Sequence, residues 1–280
     1  MTTDSKMLPA DGGLVPLNAD QHGGWRVVAG GMAHAGDVPF APILVGEFAA
    51  AARVYPIVFS ASDPSPIAVM GLERRNLFVD NGQWACEVAL PSLSEPSGDD
   101  RRGDIYVPAH ILRHPFALLR TPDERHVLAI DPKSPLLHQD GDEGVPLFED
   151  GKPTAVVAAA LKFCDVFRVQ ADATIALVRA LEARDLLIER QANVTLVTGR
   201  SLGLTGFRIV DEARFAKLDG PTVVEWHAKG WLAPIHFHLA SLDRLHALAR
   251  RQARVDTVVK DAAVQTEGTT LELELETASA

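Results

Sequence analysis

The chain has 280 residues, 47% of them hydrophobic and 23% charged, with a formal net charge of −10. That size and composition suit one large or two modest globular domains with a sizeable core. The acidic balance and the lack of any Lys/Arg-rich block argue against a nucleic-acid partner. No stretch approaches the roughly 20 consecutive apolar residues of a membrane-spanning helix.

Cys86 and Cys164 are the only cysteines. Without CxxC spacing they predict two reduced thiols and no disulfide framework. The opening residues, MTTDSKMLPADGG, carry no apolar segment of a secretory signal, so a cytoplasmic location is the expectation, with the cell surface by export without a signal peptide as the alternative. Residues 1–22 read as a polar lead-in, and Trp25–Ala29 as a first strand broken by Gly30-Gly31.

The organising stretch is Pro39–Ser60. Leu44, Phe48, Ala51, Ala52 and Tyr55 recur at helical steps, and Pro56 stops the helix because its ring disfavours helical geometry at Tyr55. Ile57-Val58-Phe59 follows as a strand too apolar to have a wet face. Glu47 and Arg53 are expected on the solvated edge of the helix.

From Tyr55 to Ala89 the pattern predicts an antiparallel meander of about four strands. Asn81-Gly82 is its strongest turn signal, since a type I′ hairpin needs positive φ at both central residues. Trp84 is the expected core anchor. Residues 91–104 form a polar loop, Pro108–His114 one or two helical turns, and Phe116–Leu119 with Val127–Ile130 a hairpin. The Asp/Gly-rich run 131–152 is turn-rich and marks a candidate sub-boundary. Its DGDEGVPLFED segment lacks the ligand order of a calcium loop, so solvated turns are expected.

Pro153–Asp185 is the longest helical pattern, with a break expected near Ala171–Thr174. Strands follow at Leu186–Val197 and Leu204–Val210, then a helix capped by Asp211. Another helix ends at Gly230. Ile235–Leu239 reads as a strand, and Ser241 as the cap of a last helix, Leu242–Arg254. Arg250, Arg251 and Arg254 suit the negative end of that helix. The acidic tail, 255–280, contains TLELELE, which fits either an edge strand or a solvated tail. The whole reads as α+β: an N-terminal antiparallel meander with one packed helix, then a helix-rich second half with short strands, in a single domain spanning 23–254.

This order of segments resembles the SapC family, named after a gene linked to bacterial surface-layer proteins. EFAAAARVYPIVF, NLFVDNGQW, YVPAHILRHPFAL, IDPKSPLL, PLFEDGKPT, GFRIVDEARFAKLDG and LAPIHFHLASLDRLHAL carry the likeness, over roughly residues 14–250. The polar stretch near Leu90–Arg102 looks like an insertion. The resemblance implies a surface-layer association and supplies no reaction, cofactor or catalytic residue. It also implies an alternative: a metal-dependent or auxiliary enzyme beside oxidative, halogenase-like tailoring systems.

Three residue patterns invite sharper chemistry. Gly199-Arg200-Ser201-Leu202-Gly203 is a literal GxSxG, His22-Gly23-Gly24 resembles an oxyanion loop, and Asp219 with His227 or His236 follows in Ser-Asp-His order. A nucleophile elbow needs a helix directly after the serine, whereas Leu204–Val210 reads as strand, so a Gly-rich hairpin is the stronger reading. His236 and His238, read on one face of a strand, are the metal-ligand candidates. Glu225, His227, His110 or His114 would be the third ligand. Two polar residues flanking an inward Phe237 is the plainer reading. His110 and His114, four apart, fit helix-end packing. No cofactor is predicted, a protein partner is left open, and neither nucleic acid nor a membrane span is expected. The leading expectation is a non-catalytic accessory or structural protein.

Overall fold

The computed structural model describes residues 13–63, 65–84, 106–195 and 200–256. A five-stranded antiparallel sheet forms its centre, in the order Leu187–Thr195, Ser201–Val210, Ile57–Ser60, Pro66–Val69, Phe40–Pro42. Ile57, Val58 and Phe59, on the middle strand, are each exposed by 1% or less. A run this apolar is stable only where both faces are covered, and two core clusters meet on it. Ile57 and Val58 pack with Phe48, Tyr55, Met70 and Trp84, while Phe59 packs with Leu177, Leu181, Trp226 and Ile235.

The α+β class holds, with strands drawn from both halves. The two longest, Leu187–Thr195 and Ser201–Val210, come from the second half. The expected four-stranded meander divides into two parts. Ile57–Ser60 and Pro66–Val69 join the main sheet, whereas Val79–Asp80 and Gln83–Trp84 form a ladder of their own. Asn81 and Gly82 turn that ladder at φ of 47° and 72°, the sign the hairpin reading requires. Residues 85–105, with Cys86 and the whole polar loop, lie outside the described residues, as do 257–280.

A second sheet pairs Val15–Pro16 with His126–Ile130, and that strand with Phe116–Arg120. Arg26–Val27 pairs with both Leu137–His138 and Val145–Pro146, between the turns of the 131–152 run. Asp140, Gly141, Asp142 and Glu143 there are exposed, as solvated turns should be.

The helix Ala155–Glu182 runs unbroken for 28 residues, through the position of the expected break. Thr174 explains its continuity. The buried hydroxyl donates to the Gln170 carbonyl at 2.7 Å, one turn back, and accepts from the Val45 N–H at 2.8 Å. A residue that reads as a helix-weakener from sequence is here a bolt to the organising segment.

Asp211 and Asp219 cap the helices Glu212–Phe215 and Gly220–Ala228 through the N–H groups of Arg214 and Thr222. Gly230 then turns the chain at φ of 70°. The next segment, Leu232–Ser241, is a helix and not the expected strand. Pro234 lies in its first turn, where a missing N–H costs nothing. Ser241 ends this helix instead of capping the last one, which covers residues 244–256.

Candidate functional site

A group of ionisable and hydroxyl side chains lies where segment 106–116 meets the organising helix. Glu47 is at its centre and is buried, contrary to the solvated edge expected for it. One carboxylate oxygen accepts from the Leu44 N–H at 2.7 Å. The other accepts from the Tyr106 hydroxyl at 2.6 Å and from the Ala109 N–H at 2.8 Å, the first residue of the short helix Ala109–Leu112. The Tyr55 hydroxyl in turn donates to the Tyr106 carbonyl. Burial holds the Glu47 pKa above its ordinary value although three donors pull it down. Arg53, by contrast, is exposed as expected.

Beyond this carboxylate lie three imidazoles and a guanidinium. His34 and His114 stack at 4.2 Å, and His114 shares a 2.7 Å hydrogen bond with the Ser134 hydroxyl. The Nε2–H of His34 donates to the Ile111 carbonyl, so its buried Nδ1 is an acceptor with no partner among the described residues. His110 Nδ1 accepts from Arg113 at 3.2 Å, and the Arg113 guanidinium stands 4.6 Å over the Phe167 ring.

Desolvation lowers His110 to about 3 and His114 to about 4, so both rings are neutral at pH 7. Burial also pushes the Cys164 thiol up to about 11, against the pull of the Arg113 cation. Cys164 is free and inert as a nucleophile. The cluster therefore joins two neutral imidazoles to an Arg113 cation and a fully hydrogen-bonded Glu47 carboxyl, and leaves one acceptor, His34 Nδ1, open among the described residues.

His238 is fully buried. Its Nδ1–H donates to the Ile57 carbonyl at 2.9 Å, and its Nε2 accepts from the Val210 N–H at 3.0 Å. The sheet register pairs Phe207 with Ser60 and Arg208 with Phe59, so its continuation would pair Val210 with Ile57. The strands diverge there, and the imidazole stands in for the lost backbone bond. Ser241, one turn on, accepts from the Ile57 N–H at 2.9 Å. Burial drops His238 to about 4, which keeps the ring neutral.

Helical geometry separates the two metal-ligand candidates. Residues two apart on a helix point about 200° from each other, so His236 and His238 do not share a face. His236 is exposed with its ring against Phe215, and Phe237 points outward at 39% exposure, the reverse of the strand reading. Both nitrogens of His238 are already engaged by the backbone. Among the supplementary candidates, Glu225 pairs with Lys229 and His227 is exposed, while His110 and His114 belong to the other cluster. Among the described residues no group of three or more His, Cys, Asp or Glu is placed to hold a metal ion.

Ser201 begins a strand that continues to Val210 and pairs with Thr195, so the helix an elbow requires does not follow it. Asp219 caps a helix and pairs with Arg184 at 3.1 Å. His22 is buried at the end of a one-turn helix, edge-on to Trp25. Asp219 and His22 thus hold the local fold.

One open cleft of about 690 Å³ borders Ala180, Leu186, Arg214, Lys217, Trp226 and Trp231. Its charges largely neutralise one another: Arg184 pairs with Asp219, Lys229 with Glu225, and Arg214 donates to the Asp185 carbonyl.

The ordered likeness noted in the sequence is matched by comparison with family models. The SapC model matches residues 17–95 and 97–248. The chain belongs to the SapC family. The two matched stretches meet at Pro96, inside the polar stretch read as an insertion. Comparison with curated proteins and with solved structures gave no match. Every element of this SapC-family chain that carries Glu47, Arg113 or His238 falls within the matched residues.

Proposed function

We propose that this SapC-family chain is a non-catalytic accessory or structural protein of the bacterial cell surface, acting from the cytoplasm on surface-layer biogenesis. One observation carries this reading. Two buried groups with catalytic potential are held by backbone groups: His238 by Ile57 and Val210 of two strands, and Glu47 by Leu44 of its own turn and Ala109 of another helix. A side chain whose lone pairs are held by the scaffold serves the scaffold.

The outer surface supplies what an accessory protein needs. Leu161, Val166 and Val169 stand on the outside of the long helix at 40%, 56% and 54% exposure. Apolar side chains grouped on one helix are contact material for a protein partner. No described helix is long and apolar enough to cross a membrane.

Deletion of the gene in its host, followed by electron microscopy of the envelope and fractionation, tests the proposal. The expected result is a defective surface layer in the deletion strain, with the wild-type chain confined to the cytosol. An intact surface layer would overturn it, and the chain recovered mainly in the surface fraction would overturn its cytoplasmic placement.

A further inference from the structure

The cleft of about 690 Å³ lies where the end of the long helix meets the helices Glu212–Phe215 and Gly220–Ala228, and all of its lining falls between Ala180 and Trp231. Its floor is apolar. Leu186 and Trp226 are buried there, with Ala180, Leu218 and Trp231 half-buried beside them. Trp231 is fixed in place. Its N–H donates to the Trp226 carbonyl at 2.9 Å, and the two indoles meet edge-on at 5.9 Å. The Lys229 ammonium stands 4.5 Å over the Trp231 ring.

The rim carries four cations, Arg184, Arg214, Lys217 and Lys229, and three acids, Asp185, Asp219 and Glu225. Most are already engaged. Asp219 accepts from Arg184 and from both donors of Thr222. Glu225 takes Lys229 at 2.6 Å, and Arg214 reaches Asp211 at 3.2 Å. Two charges of opposite sign remain. The Lys217 ammonium and the Asp185 carboxylate are exposed, and among the described residues neither has a hydrogen bond or an ion pair. One lone charge of each sign, on the rim of an apolar trough, is complementary to a ligand that carries both.

The shape of the cleft selects among such ligands. A small molecule is held by burying most of its surface, which an open cleft does not do. An extended chain segment needs cover on one side only, since its two ends leave through the open mouth.

We infer that this cleft docks an extended segment of a protein partner, with an apolar side chain on the Trp226 and Trp231 floor, an acidic side chain at Lys217 and a basic one at Asp185. The inference rests on the accessory reading above and gives the partner a second contact besides the long helix. Rigid indoles are the anchors that carry most of an interface's energy. The two exposed charges add little affinity and decide which segment fits.

A random decapeptide library displayed on phage, selected against the full chain at low salt, tests the inference. Enriched peptides should carry an apolar residue with an acid on one side and a base on the other. A synthetic copy of the most enriched peptide is then titrated into wild type and variants, each first shown to fold by circular dichroism. Trp231→Ala should weaken binding at least about 10-fold, and Lys217→Glu and Asp185→Asn each about 3-fold. Lys217→Glu should regain wild-type affinity for a peptide whose acid is replaced by lysine, a rescue that a merely structural role for Lys217 would not give. Val166→Glu with Val169→Glu, on the other face, should leave binding unchanged. No enriched peptide, equal binding by all the variants, or indifference to the peptide's charges overturns the inference. Peptide binding is read on the purified chain and the surface layer in the deletion strain, so the docking inference and the accessory reading can each fail alone.

Discussion

The Nδ1–H of His238 reaches the carbonyl of Ile57 at 2.9 Å, while its other nitrogen takes the N–H of Val210 at 3.0 Å. A helix side chain thereby closes a gap between two strands whose register would otherwise join those same backbone groups.

Removing that bridge strands two buried backbone groups and leaves a void. At about 1–3 kcal/mol for each orphaned group, His238→Ala should lose roughly 3–5 kcal/mol of stability. His236→Ala, on the exposed side of the same helix, should stay within about 0.5 kcal/mol of wild type. Urea unfolding of both variants measures the difference. Equal losses would mean that the bridge carries no weight.

A second expectation concerns metal. Protein grown with added zinc and iron should contain the same sub-stoichiometric metal in wild type and in His236→Ala, because His238 has no free lone pair to share. Near-stoichiometric zinc that disappears in the variant would contradict this geometry.

Acid should weaken the fold above the carboxylate range. His110, His114 and His238 are held at about 3, 4 and 4, and burial also lowers His34 below the ordinary imidazole value. Between about pH 6.5 and 4 the unfolded chain takes up protons that the folded chain refuses, so stability falls with pH across that window. Glu47, raised by burial, acts with the opposite sign, losing stability as pH rises through its pKa. Unfolding free energies at pH 7.5, 6 and 4.5 should therefore decrease in that order. A flat profile down to pH 4.5 would contradict neutral burial of these imidazoles.

Glu47 offers a finer test. Glu47→Gln places an amide N–H against at least one of three donors, so it should cost about 1–3 kcal/mol despite its near-identical shape. Tyr106→Phe should cost about 1 kcal/mol, and the double variant should cost less than the sum, because the two share one hydrogen bond. Additive losses would separate the two residues.

Local chemistry made much of this fold legible. Asn81-Gly82, the buried Ile57–Phe59 run and the caps Asp211 and Asp219 each follow from one residue's own preference. Glu47 and His238 did not, because both act across elements distant in sequence. A signal for each was nevertheless present. Glu47 lies three residues after Leu44 and four before Ala51, inside the apolar stripe and not beside it.

For His238, the alternation of HFH resembled a strand. Yet Gly230 followed by Pro234 marks a helix stop and a helix start. Ile235, His238, Ser241, Leu245 and Leu248 then keep a helical repeat through the histidine. The unbroken long helix was hidden for the same reason, since Thr174 is stabilised by Val45 from another part of the chain.

The central claim is that this chain works by contact and not by chemistry. Complementation of the deletion strain with two variants tests it most directly, each first shown to fold by circular dichroism. One carries Ser201→Ala, His227→Ala and His236→Ala, and the other carries Val166→Glu and Val169→Glu on the exposed face of the long helix. The first should restore the surface layer to wild-type coverage and the second should fail. A folded first variant that fails while the second restores the layer would contradict the account and point to catalysis.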